Sequence, residues 1–150
     1  MLTVAAYADD NTLYDVAKKH QLIGSNSDVF ICDLAGKNYI VSIGVATVAG
    51  TEPKHILNAR NISKMNAKKA LTNFIHNVKI SSSETLTSER SRLTVYKNGN
   101  KSQVSETDKS SYESIISEKG EGLLRNTIDV GMWVASDSSD YLHALAIEIK

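Results

Sequence analysis

Between Asn58 and Val78 small or apolar residues recur at Ala59, Ser63, Ala67, Ala70, Leu71, Phe74 and Val78. That spacing of three and four places them on one face of an α-helix. The first half of the stripe is small and the second half bulky. The predicted helix therefore lies close to a surface at its start and stands off at its end, and a sheet is the natural partner. Ile62, Met65 and Ile75 are expected to widen the apolar face, and Arg60, Lys64 and Lys68 form a basic strip along its flank.

Upstream, Leu13, Val16 and Ala17 have helical spacing, with Asp9, Asp10 or Asn11 available as an N-cap and Lys18, Lys19 and His20 at the end that favours positive charge. A short helix ending near Gly24 is expected, followed by a loop over Gly24 to Asp28. Val29 to Cys32 is a short apolar run, Ala35 to Asn38 has turn chemistry, and Tyr39 to Val48 is dense in β-branched residues, which predicts a strand or hairpin. Ala49 to Pro53 leads into the long helix.

Beyond it, Lys79 to Gly122 opens with small hydroxylic residues and carries sparse apolar ones at Leu86, Leu93, Val95, Tyr96, Val104, Tyr112, Ile115 and Ile116. Asn98-Gly99 sits between the two groups, and both residues tolerate the positive φ of a tight hairpin turn. The segment is read as two long polar strands joined there, with a mobile arm as the alternative. Near the C-terminus, Ile128, Val130, Met132 and Val134 alternate, and Tyr141 to Ile149 places Tyr141, His143, Leu145, Ile147 and Ile149 on one face and Leu142, Ala144, Ala146 and Glu148 on the other. These form a terminal hairpin with Trp133 at an edge of the sheet. The predicted class is α+β: one long helix on a mostly antiparallel sheet, with an extended serine-rich β-hairpin and a short N-terminal helix.

At 150 residues the chain suits one domain, burying about two thirds of its unfolded surface. Seventeen basic residues balance seventeen acidic ones, so no overall field draws it to nucleic acid. No run approaches the roughly 18 apolar residues that span a bilayer. Residues 1–8 read as a signal-peptide remnant: Ala6-Tyr7-Ala8 before two aspartates resembles a cleavage site, and cleavage after Ala8 implies a periplasmic or secreted protein, leaving 9–150 as the domain. An irregular N-terminus is the alternative.

Catalytic chemistry is not visible in the sequence. Cys32 is the one cysteine, expected as a small buried side chain rather than one half of an intermolecular disulfide. His20, His55, His76 and His143 lack zinc-site spacing, the glycines fit neither a phosphate-binding nor a dinucleotide-binding loop, and G-x-S-x-G is absent. Asp137 to Asp140 reads as a solvated turn rather than a calcium loop. Asn61-Ile62-Ser63 matches a glycosylation acceptor, but inside a predicted helix. No cofactor and no metal are expected. A cluster of His143, Asp129 and a Ser from the serine-rich strands is the arrangement that would favour an enzyme.

Two charged groups remain. Arg60, Lys64 and Lys68, extended by Lys54 and Lys69, make the basic one, and Glu106, Asp108, Glu113, Glu118 and Glu121 on the later hairpin make the acidic one. Both serve as solvated faces, or as opposite patches for self-association or docking on a charged partner. The candidate interaction residues are accordingly Arg60, Lys64, Lys68, Asn98 and Gly99. The hairpin offers strand edges to a neighbour, and deleting Glu89 to Lys109 is expected to spare folding while removing capture.

Ala59-Arg60, Ala67, Ala70-Leu71 and Phe74, the exit Val78 to Ser83, Gly122-Leu123-Leu124, and Trp133-Val134 ahead of Tyr141 to Glu148 together form a further pattern. In these features the chain from Tyr39 to Lys150 resembles the N-terminal domain of flagellar assembly protein T and the related 20-kilodalton bacterial envelope lipoprotein family. It departs from those lipoproteins at Cys32, which follows Phe30-Ile31 instead of a small residue. The resemblance implies a non-enzymatic periplasmic or envelope protein, a component or accessory of a flagellar, pilus, secretion or conjugation apparatus. Its partners would be other envelope proteins or further copies of itself, with peripheral contact to a membrane also consistent. The alternative function is a small-ligand or anion-binding periplasmic module.

Overall fold

A computed structural model describes residues 12–20, 27–48, 50, 52–80, 94–97, 100–102, 106–135 and 140–149. In chain order the elements are α1 (Leu13–Lys19), β1 (Asp28–Leu34), β2 (Lys37–Thr47), α2 (Pro53–Ile80), β3 (Val95–Lys97), β4 (Asn100–Ser102), α3 (Glu106–Lys119), a 3-10 segment (Gly120–Asn126), β5 (Ile128–Val134) and β6 (Asp140–Glu148). The six strands form one sheet in the order β4-β3-β1-β2-β6-β5. Every pairing is antiparallel except β1 with β3.

Both faces of the sheet are covered, which explains why Tyr39 to Val48 reads as a nearly continuous apolar run. On one face α2, α3 and the 3-10 segment bury Ile40, Leu71, Ile75, Tyr112, Ile116, Leu123, Leu145 and Ile147. On the other, α1 lays Val16 and Ala17 over Phe30, Cys32, Val41, Ile43 and Ala144. The two faces of β6 divide as the alternation predicts, Leu145, Ile147 and Ile149 toward α2 and Leu142, Ala144 and Ala146 toward α1.

The small half of the α2 stripe meets the sheet at Gly44 of β2. A Cβ at Gly44 would overlap the Ser63 carbonyl oxygen and the Ala67 amide nitrogen, and would sit 2.9 Å from Ala67 Cα. The helix backbone therefore rests directly on the strand, with Ala59, Ser63 and Ala67 buried above it. Farther along, Leu71, Ile75 and Val78 fill the wider gap. Asn66 secures the flank by donating to the Val45 carbonyl at 2.8 Å.

Several expectations change in detail. α1 is capped by Thr12, whose hydroxyl accepts from the Asp15 amide at 3.1 Å, rather than by Asp9, Asp10 or Asn11. The Thr12 hydroxyl also donates to the Asp15 carboxylate, so the residue three positions on completes the cap. The first hairpin turns on Ala35 and Gly36 alone, both at positive φ. Ile62 and Met65 do not widen the buried stripe; they point away from the sheet, 47 % and 68 % exposed, whereas Ile75 is buried.

The largest difference lies in the serine-rich region. β3 and β4 pair with Lys97 opposite Asn100, bracketing the expected turn, but each has three residues. The far arm is then helix, not strand. Tyr112, Ile115 and Ile116 are spaced by three and four, and as a helix they bring Tyr112 and Ile116 onto the α2 face of the core. The acidic group accordingly lies on a helix and the segment after it, and Glu113 is buried. Asn98 and Gly99 themselves, residues 1–8 and residues 136–139 of the expected terminal turn are outside the described residues.

In β5, Asp129 pairs with Leu145 and Gly131 with Ala144, so Val130 is an extra residue. This β-bulge, with Gly131 at φ +150, shifts the alternation. Asp129 and Met132 come to share a sheet face with Leu145 and His143, while Val130 and Trp133 pack toward α1. Leu123 and Leu124 belong to the 3-10 segment rather than to the strand.

Candidate functional site

The closeness of α2 to the sheet at Gly44 positions a polar cluster beside it. His143 of β6 lies opposite Gly44 on one side and opposite Met132 of β5 on the other. Its Nε2 is 2.8 Å from Oδ1 of Asp129. One helical turn along from Arg60, Lys64 reaches over the strand edge to Oδ2 of the same carboxylate at 3.3 Å. Asp129 thus clasps α2 to the last two strands. Burial pushes its carboxyl upward, but the His143 hydrogen bond, the His143 charge and the Lys64 hydrogen bond and charge outweigh it and hold the group below the usual carboxylate range.

The other ring nitrogen of His143, Nδ1, is buried and has no hydrogen-bond partner among the described residues. Two of the three groups of the enzyme-like cluster therefore meet, and no hydroxyl among the described residues bonds to Nδ1. The Ser63 hydroxyl donates to the Arg60 carbonyl at 2.9 Å, the buried Ser42 hydroxyl has no partner, and residues 81–93 of the serine-rich stretch lie outside the described residues.

Of the sequence-derived interaction residues, Arg60, Lys64 and Lys68 stand exposed along one flank of α2, as their spacing requires. The flank runs beside β5, which ends the sheet on that side. On the second half of the helix the neighbouring apolar positions Leu71 and Ile75 are covered by Tyr112, Ile116 and Leu123. On the first half Leu57 is 56 % exposed, and on the edge strand Val134 is 48 % exposed, whereas Ile128, opposite Ala146, lies on the α1 face. A basic and apolar margin results, bounded by the helix and by the outer edge of β5 from Gly131 to Val134, where the Tyr14 hydroxyl donates to the Met132 carbonyl at 3.3 Å.

A second histidine is used differently. His20, at the C-terminus of α1, places Nε2 2.6 Å from Asp28 Oδ2 and Nδ1 2.9 Å from the Tyr96 hydroxyl. Its ring stacks on Phe30 at 4.5 Å, and Tyr96 closes against Phe30 edge-on at 5.1 Å. Burial works to raise the Asp28 carboxyl, but the hydrogen bonds from His20 and the Val29 amide, with the His20 charge, hold it low. Burial, then the charges of Asp28 and Cys32, push the Tyr96 hydroxyl up. With both ring nitrogens of His20 engaged and the side chain 5 % exposed, this set fastens α1 to β1 and β3. Nearby Cys32 is fully buried, as its sequence context predicts. Burial, then the charge of Asp33, raises its thiol to about 11, so little thiolate forms at neutral pH.

Among the described residues no group of three or more His, Cys, Asp or Glu side chains is placed to hold a metal ion, and no helix is long and apolar enough to cross a membrane. The sequence names Asp129 and His143 together only as part of an arrangement that would favour an enzyme, and the set of His20, Asp28 and Tyr96 not at all, because both meet only in the folded chain. Family models, curated proteins and solved structures yield no match to the chain.

Proposed function

We propose that the protein is a non-catalytic component or accessory of an envelope-spanning bacterial assembly, such as a flagellar, pilus, secretion or conjugation apparatus, acting through protein contacts in the periplasm. The feature that most supports this reading is the margin of β5 and α2. The outer edge of β5, which ends the sheet among the described residues with Val134 exposed on the side of Leu57, Arg60, Lys64 and Lys68, suits addition of a partner's strand or helix, with main-chain bonds giving affinity and the flanking side chains selectivity. The bulge at Val130 confines such pairing to Gly131–Val134. The likeness of the α2 stripe and terminal hairpin to flagellar assembly protein T and the envelope lipoproteins supplies the cellular setting.

The Asp129–His143 pair gives a second reading, a small-ligand or anion-binding module, a specific footing: the buried Nδ1 is one unfilled polar position. A ligand site needs several convergent polar groups around a cavity, and the margin reading uses more of the exposed surface.

Osmotic-shock fractionation of cells producing the chain, followed by gel filtration of the released fraction, tests the proposal. The expected outcome is recovery in the shock fluid within a complex larger than a monomer. A cytoplasmic monomer would overturn it.

A further inference from the structure

The long helix concentrates the positive charge of a neutral chain. α2 carries Lys54, Arg60, Lys64, Lys68, Lys69 and Lys79, and no aspartate or glutamate, over its 28 residues. The remainder of the chain correspondingly has six more acids than bases. Such separation orients a molecule in a field even though its net charge is zero.

The outer side of this helix is also apolar at its crest. Ile62 and Met65, neighbours at a spacing of three, are 47 % and 68 % exposed. Around them stand Asn58, Asn61, Lys68 and Lys69, all exposed. Glu52 pairs with Lys54 at 3.4 Å and Asp129 with Lys64 at 3.3 Å, and both lie at the margins of the helix, leaving Lys68 and Lys69 around the crest. No phenylalanine, tyrosine or tryptophan occurs between Pro53 and Asn73, so the ridge lacks the large stacking groups that single-stranded nucleic acid favours.

We infer that the outer face of α2 docks on an anionic lipid bilayer surface, with Ile62 and Met65 entering the headgroup boundary and Lys68 and Lys69 reaching phosphates. A convex ridge of separated aliphatic tips ringed by cations does not present the continuous desolvated centre that a protein interface uses. A fluid interface accepts such tips individually while lysine stems lie along it. Docked this way, the helix lies flat on the membrane and the face of the sheet that carries α1 turns away from it. This inference is separable from the assembly reading, because Ile62, Met65 and Lys69 lie on the side of α2 away from β5 and binding is tested on purified protein.

The experiment is co-sedimentation with vesicles of phosphatidylglycerol and phosphatidylcholine in equal parts, against phosphatidylcholine alone, at low and high salt. Mixed vesicles are expected to bind at least about tenfold more tightly, with most binding lost in high salt. The double variant K68E/K69E should weaken binding by at least about tenfold, and I62Q/M65Q by about tenfold, while circular dichroism and thermal unfolding stay close to the parent because all four side chains are exposed. Equal binding to both vesicle types, or retention on heparin with none on vesicles, overturns the inference. Unchanged binding by I62Q/M65Q also overturns it, since the ridge would then contribute only diffuse charge.

Discussion

Gly44→Val is expected to destabilise the protein by about 3 kcal/mol or more, and to prevent folding if the starting stability is at the low end for a domain of this size. The obstacle is backbone, not a side chain that can swing aside. A Cβ at position 44 meets the Ser63 carbonyl and the Ala67 amide and approaches Ala67 Cα to 2.9 Å. Relief would require α2 to lift from β2, and the lift would propagate. Ser63 and Ala67 would lose their contact with the sheet, Asn66 would lose the Val45 carbonyl, and Lys64 would be drawn away from Asp129. Urea unfolding followed by the fluorescence of Trp133, the one tryptophan, measures the loss. Ser42→Ala, on the same strand and equally buried but with an unpartnered hydroxyl, is the contrasting substitution and should cost far less. Equal stability of Gly44→Val and the parent would mean that α2 does not lie on β2 as described.

Deleting Glu89 to Lys109 is expected to abolish folding. The sequence suggests the opposite, a hairpin arm that can be removed, because the region is polar and turn-rich. In the structure β3 is an interior strand between β1 and β4. Val95 is fully buried in the α2 layer, and Tyr96, 6 % exposed, is buried in the α1 layer. Losing these two side chains removes roughly 1.5–3 kcal/mol each. The His20 ring loses its Tyr96 partner, the Ile31 amide loses the Thr94 carbonyl, and α3 loses its first turn. Together these approach or exceed the whole stability of an ordinary domain. One-dimensional NMR of the deletion protein would show collapsed amide dispersion; native-like dispersion would restore the dispensable arm.

The contrast between these two predictions marks where the sequence speaks. α2 is legible because its stripe repeats for five turns, and the small-then-bulky order even foretells the tilt that Gly44 permits. β6 is legible because both faces are apolar in strict alternation. α3 is not, since serine, threonine and charged residues fill most of its positions and only Tyr112, Ile115 and Ile116 report the period. Helix formation there depends on packing against α2 and the 3-10 segment. The bulge at Val130 erases the alternation of β5, so Asp129 cannot be assigned to the face of His143 without the strand register. The basic strip was visible residue by residue, whereas the exposure of Ile62 and Met65 depends on how α2 is rolled on the sheet, which the stripe alone leaves open over a broad arc.

The margin between α2 and β5 can be examined directly by photo-cross-linking in cells, with benzoylphenylalanine in place of Val134 on the open edge and, separately, in place of Ser114 on the exposed side of α3. The expected result is a discrete adduct from position 134 that recurs as one species in the envelope fraction and is lost when Met132 is replaced by proline, with no adduct from position 114. Absence of an adduct at position 134, or identical adducts from both positions, would contradict the assignment of this edge as the contact surface.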